Sequence, residues 1–194
     1  MLIKNTIEVD QPIDEVWEFC QNVPQVAACL PGAQLNEEIE PDHYVGKVGI
    51  SMGPVKMQFA GTAKVAERDH ENKTIVIDAT GSDEKGQGQA NLGLVVKLVP
   101  TAGGTRLEVE QDIELSGAAA QYGRGMIGDV SQVLMSDFAA NMQARLDAMS
   151  RGVAADQIQG AQSASGFAIG LRAAWMALMR VVRRFFAPYD PSRI

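Results

Sequence analysis

The sequence predicts an α+β domain in which a curved antiparallel sheet wraps one long C-terminal helix, with a second, amphipathic helix beyond it. Three observations predict it. A period-two pattern with frequent turns runs over residues 33–116, a three-and-four pattern runs over residues 118–149, and composition and charge sign both change after that.

The elements follow in chain order. Leu2 to Val9 is rich in β-formers although its alternation is poor, and it ends at Asp10-Gln11-Pro12, where the proline suits a helix start. Ile13, Val16, Trp17 and Cys20 then recur at helical spacing, with Asp14, Glu15 and Glu18 on the other side. A second short helical stretch, residues 24–30, is cut by the turn pair Pro31-Gly32. Strands are expected at residues 44–52, 53–68, 73–82, 86–99 and 105–115, joined by turn-forming pairs such as Gly53-Pro54 and Gly103-Gly104. In the last of these, Leu107, Val109, Ile113 and Leu115 face one way and Arg106, Glu108, Glu110, Asp112 and Glu114 the other, so the sheet has one wet face. The same parity turns Met57, Phe59, Ala63 and Val65 inward on one strand, and Ala90, Leu92, Leu94, Val96 and Leu98 on another. The long helix places Tyr122, Met126, Ile127, Val130, Val133, Leu134, Phe138, Met142, Leu146 and Met149 at helical spacing. This element order is that of a helix-grip fold, which leaves a cavity between sheet and helix, here with apolar walls.

Composition narrows the function. The net charge of −7 divides into 12 Lys/Arg against 23 Asp/Glu over residues 1–156 (−11) and 5 Arg against one Asp over 157–194 (+4). An acidic body repels nucleic acid, and the basic residues of the tail carry no stacking aromatics on strands, so no nucleic-acid partner is expected. Cys20 and Cys29 form no CxxC, and His43 and His70 fall at a strand start and a turn, where solvated surface is the expectation. Neither a metal site nor a Ser-His-Asp or Cys-His arrangement is indicated, and no catalytic residue is assigned. Residues 86–93, GQGQANLG, match no phosphate-binding spacing; Gly88 and Gly93 are expected to bend the strand or make room for a ligand. Met52, Met57, Met126, Met135, Met142 and Met149 suit either an adaptable pocket or plain core, with core the commoner role of such a stripe. The opening MLIKNTIEVDQP lacks the apolar stretch of a secretory signal, which points to the cytoplasm.

The chain divides into a ligand-binding domain (1–150), a flexible Ala/Gly/Ser/Gln linker (151–165), an amphipathic helix (166–187) and a short tail (188–194). In the helix, Arg172, Arg180, Arg183 and Arg184 share one arc, while Phe167, Leu171, Trp175, Leu178, Val182, Phe185 and Phe186 occupy the other side. Arginine at bilayer depth costs roughly 2.5–3.5 kcal/mol, so Arg172 and Arg180 argue for lying in the membrane interface rather than crossing it. A protein partner covering the same apolar arc is the alternative.

The motifs PIDEVWEF (12–19), CLPGA (29–33), YVGKVGISMGPVKMQFAGTAKV (44–65) and GRGMIGDVSQVLMSDFAANM (123–142) resemble those of CoxG, the G-subunit family of carbon monoxide dehydrogenase, within the START-like helix-grip superfamily. The resemblance covers about residues 1–150 and implies a protein that accompanies a CO dehydrogenase-type molybdenum hydroxylase, tethers to the cytoplasmic membrane and carries a respiratory quinone, with no covalent cofactor. On that reading the isoprenoid tail lies between Met126, Val130, Leu134, Phe138 and Met142 of the helix and Met57, Phe59, Ile77, Leu92, Leu94 and Val109 of the sheet. Gln111 or Tyr122 would meet the head group at the mouth. A membrane anchor or assembly factor without cargo, and a cyclase-like enzyme using the same cavity, are the alternatives.

Overall fold

The computed structural model describes residues 1–52 and 55–152, with the backbone alone at 52, 55 and 56. Strand β1 (Leu2–Val9) is followed by helices α1 (Ile13–Gln21) and α2 (Val23–Ala27). Strands β2 (Ala33–Glu40), β3 (His43–Met52), β4 (Val55–Asp69), β5 (Thr74–Asp83), β6 (Gln89–Thr101) and β7 (Gly104–Leu115) come next, then a 3-10 turn (Gly117–Gln121) and helix α3 (Arg124–Ser150). All seven strands form one antiparallel sheet in the order β1-β7-β6-β5-β4-β3-β2. β1 and β2 are its two edges, so α1 and α2 carry the chain from one edge to the other.

One end of the space between sheet and α3 is solid. Ile7, Val9, Val16, Trp17, Phe19, Val65, Ile75, Leu98, Leu107, Val109, Met142 and Leu146 are buried in one cluster, with Ile77, Leu94, Met135 and Phe138 packed against it. At about 1.5–3 kcal/mol for each fully buried large apolar side chain, this end supplies most of the driving force for folding. A polar seam ties the helices together there. The buried Arg145 donates to Gln25 Oε1 at 2.8 Å, and Asn141 Nδ2 to the Cys29 carbonyl at 2.9 Å. A second, smaller cluster of Met57, Phe59 and Ala119 lies elsewhere, with Val48, Ile50, Ala90, Leu115 and Tyr122 against it.

Four local readings change. The long helix begins at Arg124 rather than Ala118, because Gly117 (φ 66°) holds the chain in a left-handed turn where a Cβ would lie 2.5 Å from the Gln87 carbonyl oxygen, and Tyr122 is extended. β2 is a strand of its own that the period-two signal does not separate. It is an exposed edge with register shifts between Leu35/Glu37 and between Glu38/Glu40, so neither face needs to be apolar. β1 does alternate in burial, and its pattern is blurred because Asn5 stands on the inward face where an apolar residue is expected and Leu2 on the exposed one. His70 is exposed as expected and accepts from Trp17 Nε1 at 3.3 Å, whereas His43 is half-buried.

Between β5 and β6 the buried Asp83 carboxylate takes the backbone N–H groups of Gln58, Lys85 and Gln87 at 3.3, 3.0 and 3.2 Å. Burial alone would push its carboxyl up, but those three donors hold it below its ordinary value.

Candidate functional site

The antiparallel register lays the inward-facing residues out in rows across the sheet. Gln111, Leu94, Ile77 and Val65 are successive partners in one row, and Ile113, Leu92, Ala79, Ala63 and Tyr44 in the next. Leu115, Ala90, Gly81, Gly61 and Gly46 form the third. The first row is large at its centre and belongs to the solid core, whereas the second and third carry alanine and glycine there. Space opens where side chains are missing. A cavity of about 420 Å³ lies over these rows, roofed by Met126, Ile127, Val130, Ser131, Leu134 and Met135 of α3 and bordered by Ala27, Leu30 and Leu35. Its size is in the range of about 300–1,000 Å³ found for small-molecule sites, and its wall is almost wholly apolar. Leu35 and Met126 line it while remaining 36% and 45% exposed, which marks the opening between β2 and the first turns of α3.

Of the residues expected in the wall, Met57, Phe59, Leu92, Gln111, Tyr122, Met126, Val130 and Leu134 line the cavity. Ile77, Leu94, Val109, Phe138 and Met142 do not: they lie one or more rows into the solid end, with Met142 completely buried there. Parity assigns them to the correct face, but parity cannot say where along that face the packing stops. Met135 also lines the cavity, while Met149 is exposed on the helix end. Neither Gly88 nor Gly93 lines the cavity, so neither makes room for a ligand there. Gly93 is absent from the wall and has open space around its Cα, and Gly88 is needed because a Cβ would stand 2.3 Å from the Ser116 carbonyl oxygen. The glycines of the wall are Gly46, Gly61 and Gly81.

Tyr44, Val48, Ile50, Ile113 and Leu115 line the cavity as well. Even-numbered spacing through Tyr44, Val48 and Ile50 is the signal that marks β3's share. Tyr44 is buried, and its phenol is pushed up first by that burial and then by its hydrogen bond to Glu38. Gln111 stands at the boundary between cavity and core rather than at the mouth, 6% exposed. Ser131 Oγ donates to its Oε1 at 3.2 Å and accepts from Asn5 Nδ2 at 3.0 Å. This explains the polar residue inside β1.

Both thiols are held protonated. Burial, then the neighbouring Cys29, pushes Cys20 up to about 12, and burial pushes Cys29 up to about 11 against the pull of Arg145. Among the described residues no His/Cys/Asp/Glu group could hold a metal ion, and no helix is long and apolar enough to cross a membrane. The predicted docking helix, 166–187, and the linker from residue 153 onward lie outside the described residues.

Solved structures share this architecture. A conserved protein from Geobacillus kaustophilus is 25% identical, covering 76% of this chain and 95% of its own, with a TM-score of 0.68. The Zhui aromatase/cyclase from Streptomyces sp. R1128 is 14% identical over 78% of this chain and 96% of its own (TM-score 0.57). A START superfamily protein from Mycobacterium smegmatis is 14% identical over 76% and 98% (TM-score 0.54). At such identity the last two speak to fold alone. Among curated proteins none matches the sequence. The profile of the family described as the G subunit of carbon monoxide dehydrogenase (CoxG) matches residues 6–147, from β1 through most of α3. The chain therefore belongs to the CoxG family, built on a START-like helix-grip domain.

Proposed function

We propose that this protein is a non-enzymatic carrier that shelters a respiratory quinone and links a CO dehydrogenase-type molybdenum hydroxylase to the membrane electron-transport chain. The observation that carries the reading is the hollow half of the domain: alanine and glycine rows facing an apolar helix leave about 420 Å³ that the described residues do not fill. A packed interior is normally free of such space, so the volume is best explained by a guest. An isoprenoid quinone is nearly insoluble in water and needs such shelter to reach a cytoplasmic enzyme. Family membership supports the enzyme partner. The tail supplies docking on the inner face of the cytoplasmic membrane, with Trp175, Phe185 and Phe186 in the lipid and Arg172, Arg180, Arg183 and Arg184 at the headgroups.

The test is solvent extraction of the purified full-length chain from a quinone-producing host, followed by mass spectrometry. We expect isoprenoid quinone approaching one per chain. An extract without apolar ligand refutes carriage and leaves the anchor reading. Flotation with anionic vesicles tests the tail separately: the parent should float, and a Trp175→Glu/Phe185→Glu variant should not.

A further inference from the structure

The wall contains one polar group whose bonding is incomplete. Gln111 Nε2 is buried and has no hydrogen-bond partner among the described residues. The other branch of the same amide is engaged. Ser131 has a single hydroxyl hydrogen; it is donated to Gln111 Oε1, while the hydroxyl oxygen accepts from Asn5 Nδ2. In this arrangement the chain of donors Asn5, Ser131, Gln111 leaves the amide N–H₂ as the unspent end. Its sheet neighbours Val109, Leu94 and Ile3 offer no side-chain acceptor, and its free side faces the cavity. A buried donor without an acceptor is costly, and native proteins seldom keep one without a use.

Building on the carrier reading, we infer that the cargo enters head first and that a carbonyl oxygen of its head group accepts a hydrogen bond from Gln111 Nε2 at the inner end of the cavity. The hydrocarbon tail then runs under Met126 and Leu134 toward the opening beside Leu35. The site selects acceptor-bearing head groups, because an unadorned hydrocarbon leaves the amide unpaired. Ser131 acts as a positioning residue: its hydroxyl is engaged by Asn5 and Gln111 and orients the amide.

Calorimetric titration of the delipidated full-length chain tests this with two probes. One is a methylnaphthoquinone bearing a two-isoprene side chain; the other is the same prenylated naphthalene without the two oxygens. For Gln111→Met, which keeps the side chain's length, the quinone's Kd should rise roughly ten-fold while that of the naphthalene stays or falls. Ser131→Ala should weaken quinone binding less, again without weakening the naphthalene, and it provides the same comparison if the first variant misfolds. An equal loss for both probes, or no loss for either, overturns the assignment and leaves the carrier reading standing. Failure of the parent to bind either probe overturns the carrier reading itself.

Discussion

Filling the hollow should stabilise the empty protein and evict its cargo at once. Ala79 is the position to fill: it sits in the second row between Leu92 and Ala63, on the cavity wall, and its strand favours β-branched residues. Ala79→Ile adds three carbons. At about 0.8 kcal/mol per buried CH₂ they contribute at most ~2.4 kcal/mol, and fixing the side chain costs about 0.5–1, leaving a gain of roughly 1.5–2 kcal/mol. For a domain of this size that corresponds to about 3–8 °C in Tm. The assay is thermal unfolding of delipidated parent and variant by circular dichroism, with bound quinone measured by extraction before lipid removal. Stability should rise while quinone content falls several-fold. A variant that melts several degrees lower and keeps its quinone would refute the reasoning, because it would show that Ala79 is already packed and that the guest lies elsewhere.

Other outcomes follow from single features. Met142→Ala, at a fully buried position outside the cavity, should cost about 2–5 kcal/mol in denaturant unfolding and leave quinone stoichiometry unchanged in the folded fraction. Gly128 in α3 has open space around its Cα, so Gly128→Ala should add about 0.8–1 kcal/mol of stability and, by stiffening the turn that carries Met126 and Ile127 over the opening, slow quinone release in stopped-flow exchange. The Asp83 carboxyl is held below its unfolded value, so its contribution is complete above that value and is lost as the pH falls through the lower one. Asp83→Asn should therefore be less stable at pH 7, with the difference shrinking as the pH falls below about 4 and closing only below the lowered folded value in urea titrations. Cys29, buried and with its thiol pushed up to about 11, should resist an aromatic disulfide reagent at pH 8 until denaturant is added; fast labelling of Cys29 in the native protein would contradict its burial.

Parity and period are enough to find most strands, the inward faces and the closing helix, because those signals are local. The cavity's extent is not local. Leu94 and Leu92 look alike along β6, yet one meets Ile77 and Gln111 in a filled row and the other meets Ala79 and Ile113 in an open one. Only pairing between distant segments shows that Ala63, Ala79, Ala90, Gly61 and Gly81 line up into a hollow. Phe138 and Leu94 fall outside the cavity for this reason, and a charge at either would test folding rather than binding. Asn5 carries no signal as a lone amide in a weakly patterned strand until α3 brings Ser131 beside it. The helix start is hidden because composition continues smoothly through Gly117 to Gly123, whereas the backbone turns there.

The sheet is curved but not closed, so among the described residues its two edge strands leave main-chain donors and acceptors without a neighbouring strand. An open edge beside an apolar opening is the usual beginning of strand-by-strand polymerisation. β2 is poorly suited to it: two register shifts spoil the spacing a second strand would have to match, and Glu37, Glu38 and Glu40 would face the same charges on any copy approaching in kind. The irregularity and the charges of β2 thus work against edge-to-edge zipping on that side of the sheet.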